Sequence, residues 1–216
     1  MSKLYVVATP IGNLEDITLR ALRILKKVDL VLCEDTRVTK KLLERYGIKT
    51  SLESYHQHSK ISKINKIVEL LKAGKNLALV SDSGTPGISD PGNKLISEIK
   101  NIAEIIPIPG PSAVAAIASI SGFPMDNFVF LGFPPHKKGR QKFFKELSNY
   151  KYPVIIYESP YRIIKTLKEL KNYGEFDIVV GRELTKKFET IYRGKIDEII
   201  EKIKPIGEFV IAIKKP

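Results

Sequence analysis

Leu4-Tyr-Val-Val-Ala8 is a short, unbroken apolar run, the pattern of a strand buried on both faces. Pro10-Ile-Gly-Asn13 then turns the chain into Ile17–Leu25, where apolar residues recur at helical spacing. The alternation returns twice. Leu30–Cys33 reads as a strand before a helix at Val38–Tyr46, and a helix at Ile61–Leu71 precedes a strand at Asn76–Val80. A further strand at Glu104–Ile108 leads through Pro109-Gly-Pro-Ser112 into the small-residue helix Ala113–Ile120. Alternating strands and helices predict an α/β fold with a largely parallel first sheet.

Beyond Gly122-Phe-Pro124 the strands shorten and come closer together: Phe128–Leu131, Val154–Tyr157, Ile178–Val180, Phe188–Tyr192 and Glu208–Ile213. Helices near Arg140–Leu147, Tyr161–Leu170 and Ile196–Ile203 lie between them. Strands at this spacing predict a second, mixed sheet packed on helices. The expected division is therefore residues 1–115 and residues 116–216, with helix Ala113–Ile120 bridging the two.

Composition narrows the class. The 216 residues are 43% hydrophobic and 28% charged, enough apolar content to fold and bury a core. The one cysteine, Cys33, sits in an apolar run and has no disulfide partner, which fits a reducing cytoplasm. No apolar stretch reaches the roughly 18 to 20 residues of a membrane span, and no export signal is visible, so neither a membrane nor an anchor is expected. Net charge is +12, which favours a polyanionic partner, although 28 of the 36 basic residues are lysine in a chain rich in Ile, a bias that genome composition alone can produce.

Three strands of the first half end in loops rich in Gly and Pro: Thr9–Asn13, Ser81–Gly92 and Pro107–Ser112. At the carboxyl edge of an open parallel sheet such loops border the ligand crevice, and glycine lets a ligand approach the backbone. Each alone suits a tight turn equally well; three on one edge predict a binding site. There is no Gly-x-Gly-x-x-Gly after the first strand and no Gly-Lys-Ser/Thr phosphate loop, which disfavours NAD and nucleoside triphosphates. The loop around Asp82 offers carboxylate and hydroxyl groups with little positive charge, suiting a ligand with hydroxyls and an amine.

Ala8-Thr-Pro-Ile-Gly-Asn-Leu14, Asp16-Ile-Thr-Leu-Arg-Ala21, Cys33-Glu-Asp-Thr-Arg37, the string Val80–Gly92 and Pro109-Gly-Pro-Ser-Ala113 resemble the ribosomal RNA small subunit methyltransferase I family. Phe130-Leu-Gly-Phe-Pro-Pro135, Tyr157-Glu-Ser-Pro160 with Arg162, Arg182-Glu-Leu-Thr-Lys186 and Glu189-Thr-Ile-Tyr-Arg-Gly194 continue the likeness in the same order. The resemblance implies a tetrapyrrole-methylase-like fold of two α/β domains with S-adenosylmethionine in the cleft between them, and a homodimer. It also implies 2'-O-methylation of a cytidine ribose in the decoding region of 16S ribosomal RNA, free or in the small ribosomal subunit. Longer members of that family carry an additional C-terminal segment, whereas this sequence ends just after its last strand, so RNA contacts made by such a segment are not expected here.

By the same resemblance, Asp82, Ser83, Gly84, Thr85, Pro86 and Gly87 with Ser112, Ala113 and Val114 line the cofactor pocket. Pro10 and Gly12 close one side, and Glu158 and Ser159 approach from the second domain; Ser159 before Pro160 also suits a helix cap. A ribose hydroxyl is a poor nucleophile at neutral pH, so either a nearby group accepts its proton or alignment suffices. Glu34, Asp35 and Arg37, and Glu183 with Lys186, are the candidates, Asp35 and Lys186 foremost among them, although either group by itself reads more readily as salt-bridged loop charges. Lys137, Lys138 and Arg140, together with Arg37, are the expected RNA contacts, and Lys186, Lys187, Arg193 and Lys195 form a second basic group. Phe143, Phe144 and Tyr152 are candidates for stacking or for the core. His56 and His58 read as part of a polar loop rather than a metal site, because no cysteine or third histidine is near. The remaining alternatives are a small-molecule methylase of the tetrapyrrole type and an RNA-binding protein without catalysis.

Overall fold

The computed structural model describes residues 1–56, 59 and 61–216, and it divides into two compact units, Met1–Ser112 and Ala113–Pro216. The division falls before the expected Ala115 because the helix that opens at Ala113 packs on the second sheet.

The first unit contains strands β1 (Lys3–Val7), β2 (Leu30–Cys33), β3 (Leu52–Ser54), β4 (Leu77–Leu79) and β5 (Glu104–Ile108). Its helices are α1 (Leu19–Lys27), α2 (Thr36–Arg45), α3 (Ile61–Lys72) and α4 (Asn93–Ile99), and a single 3-10 turn covers Leu14–Asp16. All pairings are parallel and the strand order is β3-β2-β4-β1-β5. Side chains alternate between two cores, as strand geometry demands. Val7, Val31, Cys33, Ala78 and Val80 pack with Ala21 and Leu25 of α1 and Leu42 and Leu43 of α2. Leu4, Leu32, Leu77 and Leu79 pack with Ile64, Ile67 and Leu71 of α3 and Leu95 and Ile99 of α4. Helices therefore cover both faces of the sheet, which explains why its strands read as continuous apolar runs.

This winding fixes where a ligand can enter. The chain leaving β1 runs to α1 on one face, and the chain leaving its neighbour β4 runs to α4 on the other. Adjacent strands whose connections depart to opposite faces open a crevice beyond their carboxyl ends. Strand β3 and helix α4 lack a sequence signal: β3 is a three-residue edge strand in a polar context, and α4 has only seven residues after a loop dense in Gly and Pro.

The second unit holds α5 (Ala113–Ser121), β6 (Val129–Phe130), α6 (Arg140–Leu147), β7 (Val154–Glu158), α7 (Ile163–Lys171), β8 (Asp177–Arg182), β9 (Thr190–Gly194), α8 (Ile196–Lys202) and β10 (Phe209–Lys214). Its sheet has the order β6-β7-β10-β8-β9, with β6 and β7 parallel and the other pairs antiparallel, the expected mixed sheet. Phe144, Leu147, Leu167, Leu170, Ile196 and Ile199 of α6, α7 and α8 pack on one face against Ile156, Val180 and Ile211. On the other face α5 comes close at Gly181, where an added Cβ would lie 3.1 Å from Ile117 Cδ1.

Leu32 is fully buried in the centre of the first sheet, so Leu32→Ala is expected to destabilise the protein by about 2 to 5 kcal/mol. Urea unfolding followed by circular dichroism measures it, and a loss under about 1 kcal/mol would contradict this placement.

Candidate active site

The carboxyl edge of the first sheet gathers the three Gly/Pro loops. Val6 pairs with Leu79, so β1 and β4 leave the sheet side by side. Beyond the strand ends, Thr9 and Gly84 exchange backbone hydrogen bonds of 2.9 and 3.1 Å, and Thr9 Oγ1 donates to the Ser81 carbonyl at 3.0 Å. Thr85 Oγ1 donates to the Pro111 carbonyl at 3.1 Å, which ties in the third loop. Gly84 lies where all three meet. Its φ is +79°, and an added Cβ would stand 3.5 Å from Ile11 Cγ2 and 3.9 Å from the Pro111 carbonyl oxygen. The position requires glycine for its backbone conformation, since space alone would admit a methyl group.

The end of β2 joins the same edge. Asp82 Oδ1 accepts a 2.9 Å hydrogen bond from the Asp35 backbone N–H. Asp35 caps α2 by accepting from the Arg37 N–H, and its carboxylate also receives both Nε and NH2 of Arg37, the latter at 2.6 Å. The Arg37 side chain holds the Asp35 carboxyl down to about 2, with the Arg37 backbone N–H adding to the effect. Glu34 moves the other way: partial burial raises it, and the neighbouring charge of Asp82 raises it further. The Ser81 hydroxyl is only 3% exposed and has no hydrogen-bond partner among the described residues. A buried hydroxyl left unbonded costs about 1 to 3 kcal/mol, so it is a polar group in want of a partner.

Pro10 is buried and Gly12 exposed; Asp82, Ser83, Thr85, Gly87 and Ser112 are half-exposed, whereas Gly84 and Pro86 are buried. Ala113 and Val114 open α5 in the second unit. Glu158 ends β7 and is 1% exposed, with both carboxylate oxygens engaged inside its own unit. Oε1 meets Arg162 NH2 at 2.7 Å and accepts from the Ser159 N–H at 2.8 Å, while Oε2 accepts from Thr166 Oγ1 at 2.5 Å.

The Arg-Glu-Leu-Thr-Lys segment turns sharply, with Glu183 and Thr185 in the left-handed region at φ 52° and 67°. Lys186 Nζ is held at 3.0 Å by Glu183 and 2.7 Å by Glu208. Burial alone would lower the Lys186 pKa, but the bonds to Glu208 and Glu183 outweigh it and the net movement is upward. Of the two preferred proton acceptors, Asp35 thus has its proton affinity lowered and Lys186 has its raised.

Arg140, expected at the RNA surface, is 6% exposed instead. It shares the inward stripe of α6 with Phe144 and Leu147, at i, i+4 and i+7, and its guanidinium lies 5.1 Å from the Phe144 ring centre. Phe144 is core and Phe143 packs against that core, leaving Tyr152 as the exposed ring of the three expected to stack. Lys137, Lys138 and Arg37 are exposed. His58 lies outside the described residues, and among those described no group of His, Cys, Asp and Glu could hold a metal ion. No helix is long and apolar enough to cross a membrane among the described residues. Thr9 and Ser81 had no assigned part in the sequence reading. Ser81 did carry a signal, as a hydroxyl extending the buried run Leu77–Val80.

Replacing Asp35 by Asn keeps the cap and removes the charge. Because the folded carboxyl titrates near 2 and an unpaired one at 3.8, its contribution is present above about pH 4 and lost as the pH falls toward 2. Asp35→Asn is therefore expected to flatten the acid limb of the stability profile between pH 4 and 2, measured by thermal melts. An unchanged limb would refute the pairing.

Residues 3–200 match the family described as Tetrapyrrole (Corrin/Porphyrin) Methylases. The chain is 44% identical to ribosomal RNA small subunit methyltransferase I of Thermotoga maritima, over 99% of this chain and 98% of that protein. It is 49% identical to the Mycoplasmopsis pulmonis protein of the same name, over 98% of this chain and 97% of that one. The fold is similar to that of uroporphyrin-III C-methyl transferase from Thermus thermophilus complexed with S-adenyl homocysteine, with a TM-score of 0.68 at 16% identity, over 99% of this chain and 98% of that one. On the strength of identity along nearly its whole length, the chain belongs to the ribosomal RNA small subunit methyltransferase I family, within the tetrapyrrole methylases.

Proposed function

We propose that this protein is an S-adenosylmethionine-dependent methyltransferase that modifies small-subunit ribosomal RNA, with the 2'-hydroxyl of a cytidine ribose in the decoding region as acceptor, working as a cytoplasmic homodimer. The convergence of three loops at Gly84 beside Asp82 carries the reading, supported by the names of the relatives. The residues at this edge fit the cofactor. Ser81 offers a hydroxyl without a partner among the described residues, and Asp82 and Glu34 offer carboxylates to a cationic ligand.

S-adenosylmethionine supplies an electrophilic methyl group on a sulfonium. Transfer needs acceptor oxygen, methyl carbon and sulfur in line, so the protein's work is holding and the exclusion of water. The loop from Asp82 to Gly87, with Pro10, Gly12 and Ser112, holds the cofactor, and Thr9 fixes the loop by its bonds to Ser81 and Gly84. Of the carboxylates at the edge, Glu34 is best suited to receive the hydroxyl proton, because its affinity for protons is raised while that of Asp35 is lowered. Exposed Lys137 and Lys138 meet backbone phosphates.

The direct test is transfer of labelled methyl from S-adenosylmethionine to small ribosomal subunits lacking the modification, followed by nuclease mapping. The expected product is a 2'-O-methylcytidine in the decoding region. Measurable cofactor binding with no label on subunits or free ribosomal RNA would transfer the reading to a small-molecule methylase. Asp82→Asn is expected to raise the Kd for the cofactor about tenfold, read by calorimetry, and an unchanged Kd would remove Asp82 from the site.

A further inference from the structure

The second unit contains a largely buried polar network to which the reaction proposed above assigns no step. Glu158, at the end of β7, is bonded by Arg162 and Thr166 of the following helix segment. Thr166 Oγ1 also accepts from Arg140 NH2 at 2.6 Å, and Arg140 Nε meets Glu169 Oε2 at 2.6 Å. The two guanidiniums have one further task in common. Arg162 NH1 donates to the Pro134 carbonyl at 2.9 Å, and Arg140 NH1 donates to the Pro135 carbonyl at 3.0 Å.

Pro134 and Pro135 have no N–H to donate, and both of their carbonyls are taken by guanidiniums, that of Arg140 buried and that of Arg162 partly buried. The bend leads directly into exposed His136, Lys137 and Lys138, and the turn closes with the Arg140 N–H donating to the Lys137 carbonyl at 3.2 Å. Exposed lysines on a loose loop lose entropy on meeting phosphate, whereas lysines on a fixed loop have lost much of it already. Burying Arg140 and Glu158, with Arg162 and Glu169 partly buried beside them, to hold a surface bend is costly unless the bend has work to do.

We infer that Glu158, Thr166, Arg162 and Arg140 form a positioning network that fixes the Pro134–Lys138 loop as an RNA-docking element, with Lys137 and Lys138 as its phosphate contacts. The inference rests on the ribosomal RNA reading above. The network acts through the lysines, and its contacts described above lie within the second unit.

Coupling between the two layers provides the test, measured with small ribosomal subunits as the probe. Lys137→Ala with Lys138→Ala is expected to raise KM for subunits about tenfold, and to lower the slope of log affinity against log salt by about one to two. Arg162→Lys keeps the charge opposite Glu158 but cannot also reach Ser159 and Pro134 in the guanidinium geometry; it is expected to raise the same KM about fivefold, with the cofactor Kd unchanged. In the Arg162→Lys background the two lysine substitutions are expected to add less than twofold. Should Arg162→Lys fail to fold, Thr166→Val, which removes the hydroxyl linking Glu158 to Arg140 at nearly constant volume, must show the same non-additivity. Multiplicative effects in the combined variant, or a lysine replacement indistinguishable from the starting protein, would overturn the inference and leave the ribosomal RNA reading standing. A starting protein that neither binds nor methylates subunits would remove both.

Discussion

The pair of backbone hydrogen bonds between Thr9 and Gly84 holds together a sheet edge that its own winding tends to pull apart. Chains leaving β1 and β4 must depart to opposite faces, because α1 and α4 cover opposite faces. Without a cross-link the crevice would be wide and its loops loosely placed. The Thr9–Gly84 bridge, reinforced by the bond from Thr9 Oγ1 to the Ser81 carbonyl, ties the two departing chains together beside Ser81 and Asp82. The need for φ near +79° at residue 84 follows from that bridge rather than from lack of space.

Charge is distributed unevenly around this arrangement. The protein carries +12 overall, yet the carboxyl edge of the first sheet collects Glu34, Asp35 and Asp82. Arg37 pairs with Asp35, and the affinity of Glu34 for protons is raised first by partial burial and then by the neighbouring charge of Asp82. A basic exterior that draws in a polyanion and a local acidic edge that favours a cationic methyl donor are compatible because screening confines each effect to about 8 to 10 Å at physiological salt.

Much of this was legible in the sequence. Continuous apolar runs revealed the parallel sheet, since β1, β2 and β4 are buried on both faces, and the glycine and proline loops marked its carboxyl edge. Strand β3 escaped because three half-buried residues at a sheet edge carry no hydrophobic pattern, and α4 because seven residues are two turns at most. Arg140 misled because the run His136–Lys145 looks uniformly basic, while its helical phase with Phe144 and Leu147 places it inward. For Asp35 and Lys186, the preferred proton acceptors, the sequence was silent on the direction in which their proton affinities move. Residue type indicates which groups titrate, but the partners that set the direction, Arg37 for one and Glu183 with Glu208 for the other, depend on local folding.

The paired proline carbonyls have a practical consequence for anyone wishing to move this loop to another scaffold. Residues 133–138 alone would carry the sequence of the bend without the groups that shape it, because its two anchors lie at the start of α6 and just before α7, and those anchors lean in turn on the end of β7. The smallest transferable piece is consequently a discontinuous module of strand end, helix start and loop, and a graft that copies only the contiguous segment would display its lysines on a floppy tether.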